Sequence, residues 1–208
     1  MRTRCGRWAV CALLAAAPVA AHAQGAAQAI FDRAVADFEA GRIEEATAGF
    51  DTVAELLPQQ APRLWQRGIA LYYAERYGDC REMFESHRTV NPNDVENAAW
   101  HFICVARAES PAAAEAALLP VGPDSRVPMR EIYALYRGDL TPADVMEAAG
   151  DRPSGRFYAH LYLGLYYEAL GRTDEAYEQI ELAADSQYAR AGGYMHMVAE
   201  VHLALLQR

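Results

Sequence analysis

Between Arg63 and Pro92 apolar side chains recur at helical spacing in two successive stretches separated by a polar break. Leu64 and Leu71 mark one face of the first stretch and Phe84 that of the second. Gly68 is small enough for two helices to touch there, Gly78 falls in the expected turn, and Pro92 stops the second helix. The pattern predicts an antiparallel helical hairpin. Moving back 34 residues from Pro92 lands on Pro58, and the same offset pairs Phe84 with Phe50, Cys80 with Ala46, and Leu64-Trp65 with Ile30-Phe31. A further copy runs from Phe157 to Arg190, with Gly164 for Gly68, Tyr167 for Leu71, Gly171 at the turn, Ala176 for Cys80 and Ile180 for Phe84. Three registers that agree at small, aromatic and turn positions define an all-α, tetratricopeptide-repeat α-solenoid of antiparallel hairpins.

The remaining stretches fit that unit. The first hairpin turns at Gly41. Asn93 or Asp94 can cap a helix through Ala98, Phe102 and Val105, and Ser110 with Pro111 opens its partner. Pro120 to Pro128 reads as a loop, and Met129–Arg137 with Thr141–Ala149 form a shortened pair. The predicted hairpins occupy about 27–60, 61–93, 94–119, 129–150 and 155–190. A helix over 192–207, with Tyr194, Val198, Val201 and Leu205 on one face, should cap the exposed end of the stack.

Residues 1–23 carry a different pattern. Arg2, Arg4 and Arg7 precede an apolar run from Trp8 to Pro18 and a small-x-small site at Ala21-His22-Ala23. That is the layout of a cleavable export signal, which makes 24–208 a single helical repeat domain, soluble in a bacterial periplasm. No later segment reaches the roughly 18 uncharged apolar residues of a membrane span, so stable membrane insertion is not expected. All 19 basic residues are Arg; three leave with the signal, so 16 cations face 28 acids, a net −12. Such a chain is a poor nucleic-acid ligand, and its expected partner is a protein or peptide, a basic one fitting best. Oligomeric state stays open.

Candidate chemistry is sparse. There is no Gly-x-Ser-x-Gly, phosphate-binding Gly-rich loop or His-Glu-x-x-His. The acidic pairs Glu44-Glu45 and Asp174-Glu175 each open a second helix, where they complement its macrodipole. His101 and Cys104 lie three apart with His87 in the same region, but two ligands without a third do not hold a metal, so no cofactor and no metal site is assigned. Cys80 and Cys104 carry two readings, buried thiols or a disulfide between neighbouring helices. No enzyme is expected. A binding surface is: Trp65, Ile69, Tyr72 and Tyr73 would face the concave side, flanked by Phe31 and Phe38 and by Ile103 and Arg107. The competing reading is that these aromatics pack between hairpins.

Gly68 to Tyr73, the Asn-Pro-Asn-Asp run at 91–94, the Tyr-x-x-Tyr-x-Gly element at 133–138 and Tyr162–Ala176 fall in one order. That order resembles the NlpI-type periplasmic tetratricopeptide proteins of bacteria, over roughly 63–200, and also related plant plastid repeat proteins. The resemblance implies a non-enzymatic adaptor linked to cell-envelope hydrolases or proteases. The chain departs from it in lacking a lipobox and in having fewer hairpins before the central one. A self-associating structural subunit is the alternative expectation, and a metal-dependent enzyme using His101 and Cys104 the third.

Overall fold

The computed structural model describes residues 16–208, with side chains from Gln24 onward. The segment read as an export signal, 1–23, lies outside the described residues except for the backbone of 16–23. Helices follow one another without a strand among the described residues: α1 Ala16–Glu39, α2 Ile43–Leu56, α3 Trp65–Tyr73, α4 Tyr77–His87, α5 Val95–Ala108, α6 Pro111–Ala116, α7 Met129–Tyr136, α8 Pro142–Ala149, α9 Pro153–Ala169, α10 Thr173–Ala183, α11 Ala189–Gly192 and α12 Tyr194–Leu206. Each packs on its neighbours in chain order, α1 on α2, α3 on α4, α5 on α6, α7 on α8, α9 on α10, with α2–α3, α4–α5, α8–α9 and α10–α12 joining successive pairs. This all-helical stack has the layout of an α-solenoid.

The turns recur in detail. Gly41, Gly138 and Gly171 have φ of 69°, 82° and 73°. Each donates its N–H to the carbonyl three residues back, and the next residue donates to the carbonyl five back, as in Gly41 to Phe38 and Arg42 to Asp37, both at 2.9 Å. The central hairpin makes the same turn without glycine. Glu75, 34 residues after Gly41, has φ of 57° and bonds to Tyr72, and Arg76 bonds to Leu71, both at 3.0 Å. Gly78, expected in this turn, lies inside α4. One left-handed residue satisfies the turn, so α4 starts directly after it, and the strain falls on Glu75.

Close approach is where glycine is required. A Cβ on Gly68 would stand 2.7 Å from Phe84, and one on Gly164 2.6 Å from Ile180. The same pairing of small against large therefore seats both hairpins. Side-chain caps fix the middle of the stack: Asp94 accepts from Glu96 N at 3.0 Å, Ser110 from Ala113 N at 3.1 Å, and Thr141 forms a capping box with Asp144. The Pro120–Pro128 segment is stitched to the start of α5. Asp124 accepts from Val95 N at 3.2 Å, Gly122 donates to Pro92 O at 3.0 Å, and Arg126 reaches Asp94 and Glu96. Cys80 on α4 and Cys104 on α5 are joined as a disulfide, with their Cα atoms 5.9 Å apart and both side chains buried.

The last helix does more than cover the end of the stack. Beyond packing on α10, α12 reaches α1, the first helix of the described chain. Its first residue, Tyr194, meets Trp65 at the start of α3 edge to face, with centroids 4.9 Å apart. Its His202 meets Tyr73 at the end of α3, with Nδ1 2.9 Å from the hydroxyl. Both pairs are separated by eight residues along their helices, so α3 and α12 run side by side in the same direction. The chain's own final helix thus lies along the α3 face expected to line a groove.

Candidate functional site

The contact between α3 and α12 has two unlike ends. At the C-terminal end, His202 Nε2 lies 3.0 Å from Glu168 Oε2 on α9, and its Nδ1 lies 2.9 Å from the Tyr73 hydroxyl. Arg107 completes the group, 3.5 Å from Glu168 and donating to Tyr77 Oη at 3.0 Å with its guanidinium over the same ring. Burial pushes the Glu168 carboxyl up, but the His202 bond and charge, with Tyr72 and Arg107, outweigh it and hold the group below the usual range. Burial also raises the Tyr72 and Tyr73 hydroxyls well above theirs. The hollow beside this network, about 230 Å³, is walled by ionisable groups that are spent on one another. Its chemistry is that of a clamp: His202 is 2% exposed and ties α12 to α3 and α9.

At the N-terminal end the same helices border a cavity of about 310 Å³. Trp65 from α3, Phe84 from α4, Trp100 from α5, Tyr158 from α9 and Tyr194 from α12 bring aromatic rings to its wall. His87, Asn91, Asp94, Glu96 and Asn97 supply the polar part, and no Lys or Arg stands among the lining residues. Several of these groups have partners. His87 Nδ1 lies 2.8 Å from Pro62 O, Asn91 donates to Asp94 at 2.8 Å, and Glu96 pairs with Arg126 and accepts from the Tyr162 hydroxyl. Burial raises the Glu96 carboxyl, with the Arg126 charge opposing it. Others have none. Asn97 Oδ1, Trp100 Nε1 and the Tyr194 hydroxyl are buried without a hydrogen-bond partner, and each belongs to a residue on this wall. An unpaired buried polar atom costs about 1–3 kcal/mol, and these three sit within the wall, behind the surface that the cavity presents.

The residues expected on the concave side are divided between these ends and the core. Trp65 borders the cavity, while Tyr72, Tyr73 and Arg107 surround the clamp hollow. Ile69 and Ile103 do not face a groove; they are 1% and 0% exposed, because α3 and α5 carry apolar residues on several faces and bury them against each other's neighbours. Phe38 is buried against Tyr73, and Phe31 packs on Phe50. His101 lies 3.4 Å from Glu85, with burial lowering its pKa, and Cys104 is committed to Cys80, so the two do not form a thiolate–imidazole pair. Among the described residues no three His, Cys, Asp or Glu side chains are grouped to hold a metal ion. No helix among them is long and apolar enough to cross a membrane.

Glu96, Asn97, Tyr158 and Tyr194 escape a reading of the sequence because they come from two hairpins and a final helix whose convergence is not written in any local pattern. The one local signal is the Asp94-x-Glu96-Asn97 run entering an otherwise apolar helix. No protein-family model matches the chain.

Proposed function

We propose that the chain is a non-enzymatic binding module of the tetratricopeptide type, an exported adaptor that recognises a protein or peptide partner through the cavity between α3, α5 and α12. The observation that carries this reading is the cavity itself, ringed by aromatics from five helices. Its volume suits one inserted side chain or head group, with Trp65 and Tyr194 half-buried at the wall as rigid anchors. The absence of catalytic work follows from how the nearby titratable groups are used: Asp94 caps α5, Glu96 faces Arg126, and His87 turns to a backbone carbonyl. The resemblance to NlpI-type periplasmic proteins adds the cell envelope as the setting.

A photo-crosslinking amino acid placed at Trp65, against one at the exposed Glu178 on α10, tests the reading in envelope extract. A partner captured from position 65, not from 178, and lost when Tyr194 is changed to Ala is the expected result. Equal capture from both positions, or hydrolysis of peptidoglycan or peptides by the purified chain alone, would sink it.

A further inference from the structure

We propose that the group received by this cavity is an organic cation, an alkylammonium or guanidinium head, held between aromatic faces and facing carboxylates. The inference rests on the binding role above and names its ligand class. Three features of the wall select charge of this sign. Trp65 and Tyr194 stand nearly at right angles, 82° between ring planes, as half-buried aromatics at the wall, and the Tyr158 ring beside them already holds the Arg126 guanidinium 5.8 Å from its centroid, so the aromatic lining suits cations. The charged residues on the wall are Asp94 and Glu96, both acidic, and the guanidinium behind them, Arg126, is shared with a third carboxylate, Asp124. An anion entering here would meet uncompensated negative charge. A cation would restore balance between three carboxylates and one guanidinium.

At about 310 Å³ the cavity is at the small end of ligand sites, matched to a head group and a few attached atoms. A free amine and a Lys or Arg side chain of a basic peptide share that chemistry.

The three tryptophans of the chain are Trp8, Trp65 and Trp100, and the last two both line the cavity. In the full-length chain carrying Trp8→Phe, tryptophan fluorescence therefore reports from the cavity wall. The titrants are n-butylguanidinium, n-butylammonium, the neutral n-pentanol and the anionic pentanoate. Saturable changes with the two cations, at concentrations at least about tenfold below those for n-pentanol, support the inference. Trp65→Ala, with Trp100 still reporting and the thermal midpoint checked, should weaken the cations about tenfold while leaving n-pentanol nearly unchanged. If n-pentanol or pentanoate binds as tightly as the cations, the inference is overturned while the binding cavity stands. If none of the four binds, both fall. Acetyl-Gly-Arg-Gly-amide assigns the source: tighter binding than n-butylguanidinium places the cation on a partner peptide, and equal or weaker binding makes it a free small molecule.

Discussion

The two ends of the α3–α12 contact use the same kinds of residue for opposite purposes. At the clamp, Tyr73, His202, Glu168 and Arg107 pair with one another across three hairpins and the last helix, with Glu168 Oε2 held by its ion-pair contact to His202 alone. At the cavity, eight residues earlier on both α3 and α12, Trp65 and Tyr194 meet beside polar atoms that nothing satisfies. A folded chain gains stability from the first arrangement and gives some up in the second. That difference is what separates an element that holds α12 in place from one that has room for another molecule.

The comparison is broken most severely by releasing the wall both ends share. Cys80–Cys104 anchors α5, which carries Trp100 toward the cavity and Arg107 toward the clamp. Replacing both cysteines by Ser should lower stability by about 3 kcal/mol, a figure set by closure of a loop of 24 residues, and urea melts of the oxidised wild type and the double variant would measure it. Retention of full stability would show that packing alone positions α5.

The clamp should come next. Glu168→Gln keeps the shape but removes the charge opposite His202, and we expect a loss of about 2 kcal/mol at neutral pH. The sign with pH follows from the direction of the shift. A carboxyl held below its unfolded value of 4.5 contributes stability that is fully present above that value and is lost as pH falls through the lower folded one, so wild type and Glu168→Gln should converge on acidification. Glu96 carries the reverse sign. Its folded value lies above 4.5, so its contribution diminishes stability as pH rises through that raised value, and Glu96→Gln should cost less than Glu168→Gln at pH 7. Thermal midpoints across pH 4 to 8 test both, and a larger loss at Glu96 would reverse the roles assigned to the two ends.

Smaller effects sharpen the contrast. Glu75 sits beside the clamp hollow in a left-handed turn that Gly41 and Gly171 fill elsewhere, so Glu75→Gly should stabilise the chain by about 0.5–1 kcal/mol. A measured loss would mean that the Glu75 side chain contributes more than its backbone costs. Tyr194→Phe removes a hydroxyl that has no partner, and should shift stability by no more than about 0.5 kcal/mol. A drop comparable to that of Glu168→Gln would show that the hydroxyl is satisfied after all, and would weaken the contrast between the two ends.

Local rules reached far into this fold and stopped at a definite point. Asp94, Ser110 and Thr141 are legible as caps because a short polar side chain before an apolar run has few other uses. Gly68 is legible as a contact because a glycine opposite a large residue, in a helix it otherwise weakens, needs a reason. The central turn was misplaced on Gly78 because glycine is the usual left-handed residue, and a glutamate adopting φ of 57° leaves no mark in composition. The cavity was half legible. Trp65 stands out in a repeat register, but Asn97, Tyr158 and Tyr194 join it only through the path of the whole stack, which depends on many small inter-helix rotations that no single segment encodes.

The return of α12 to α1 and α3 also changes how the molecule should come apart. An open stack of hairpins couples only nearest neighbours, so its ends can fray independently and unfolding spreads link by link. Here a contact between the first helices and the last makes each end a neighbour of the other. Loss of the first hairpin exposes the final helix, and loss of the final helix exposes the first hairpins, which ties the array into one cooperative unit. The same link fixes the number of hairpins: a 34-residue repeat inserted between α4 and α5 would carry His202 away from Tyr73, and a longer array would be a looser one.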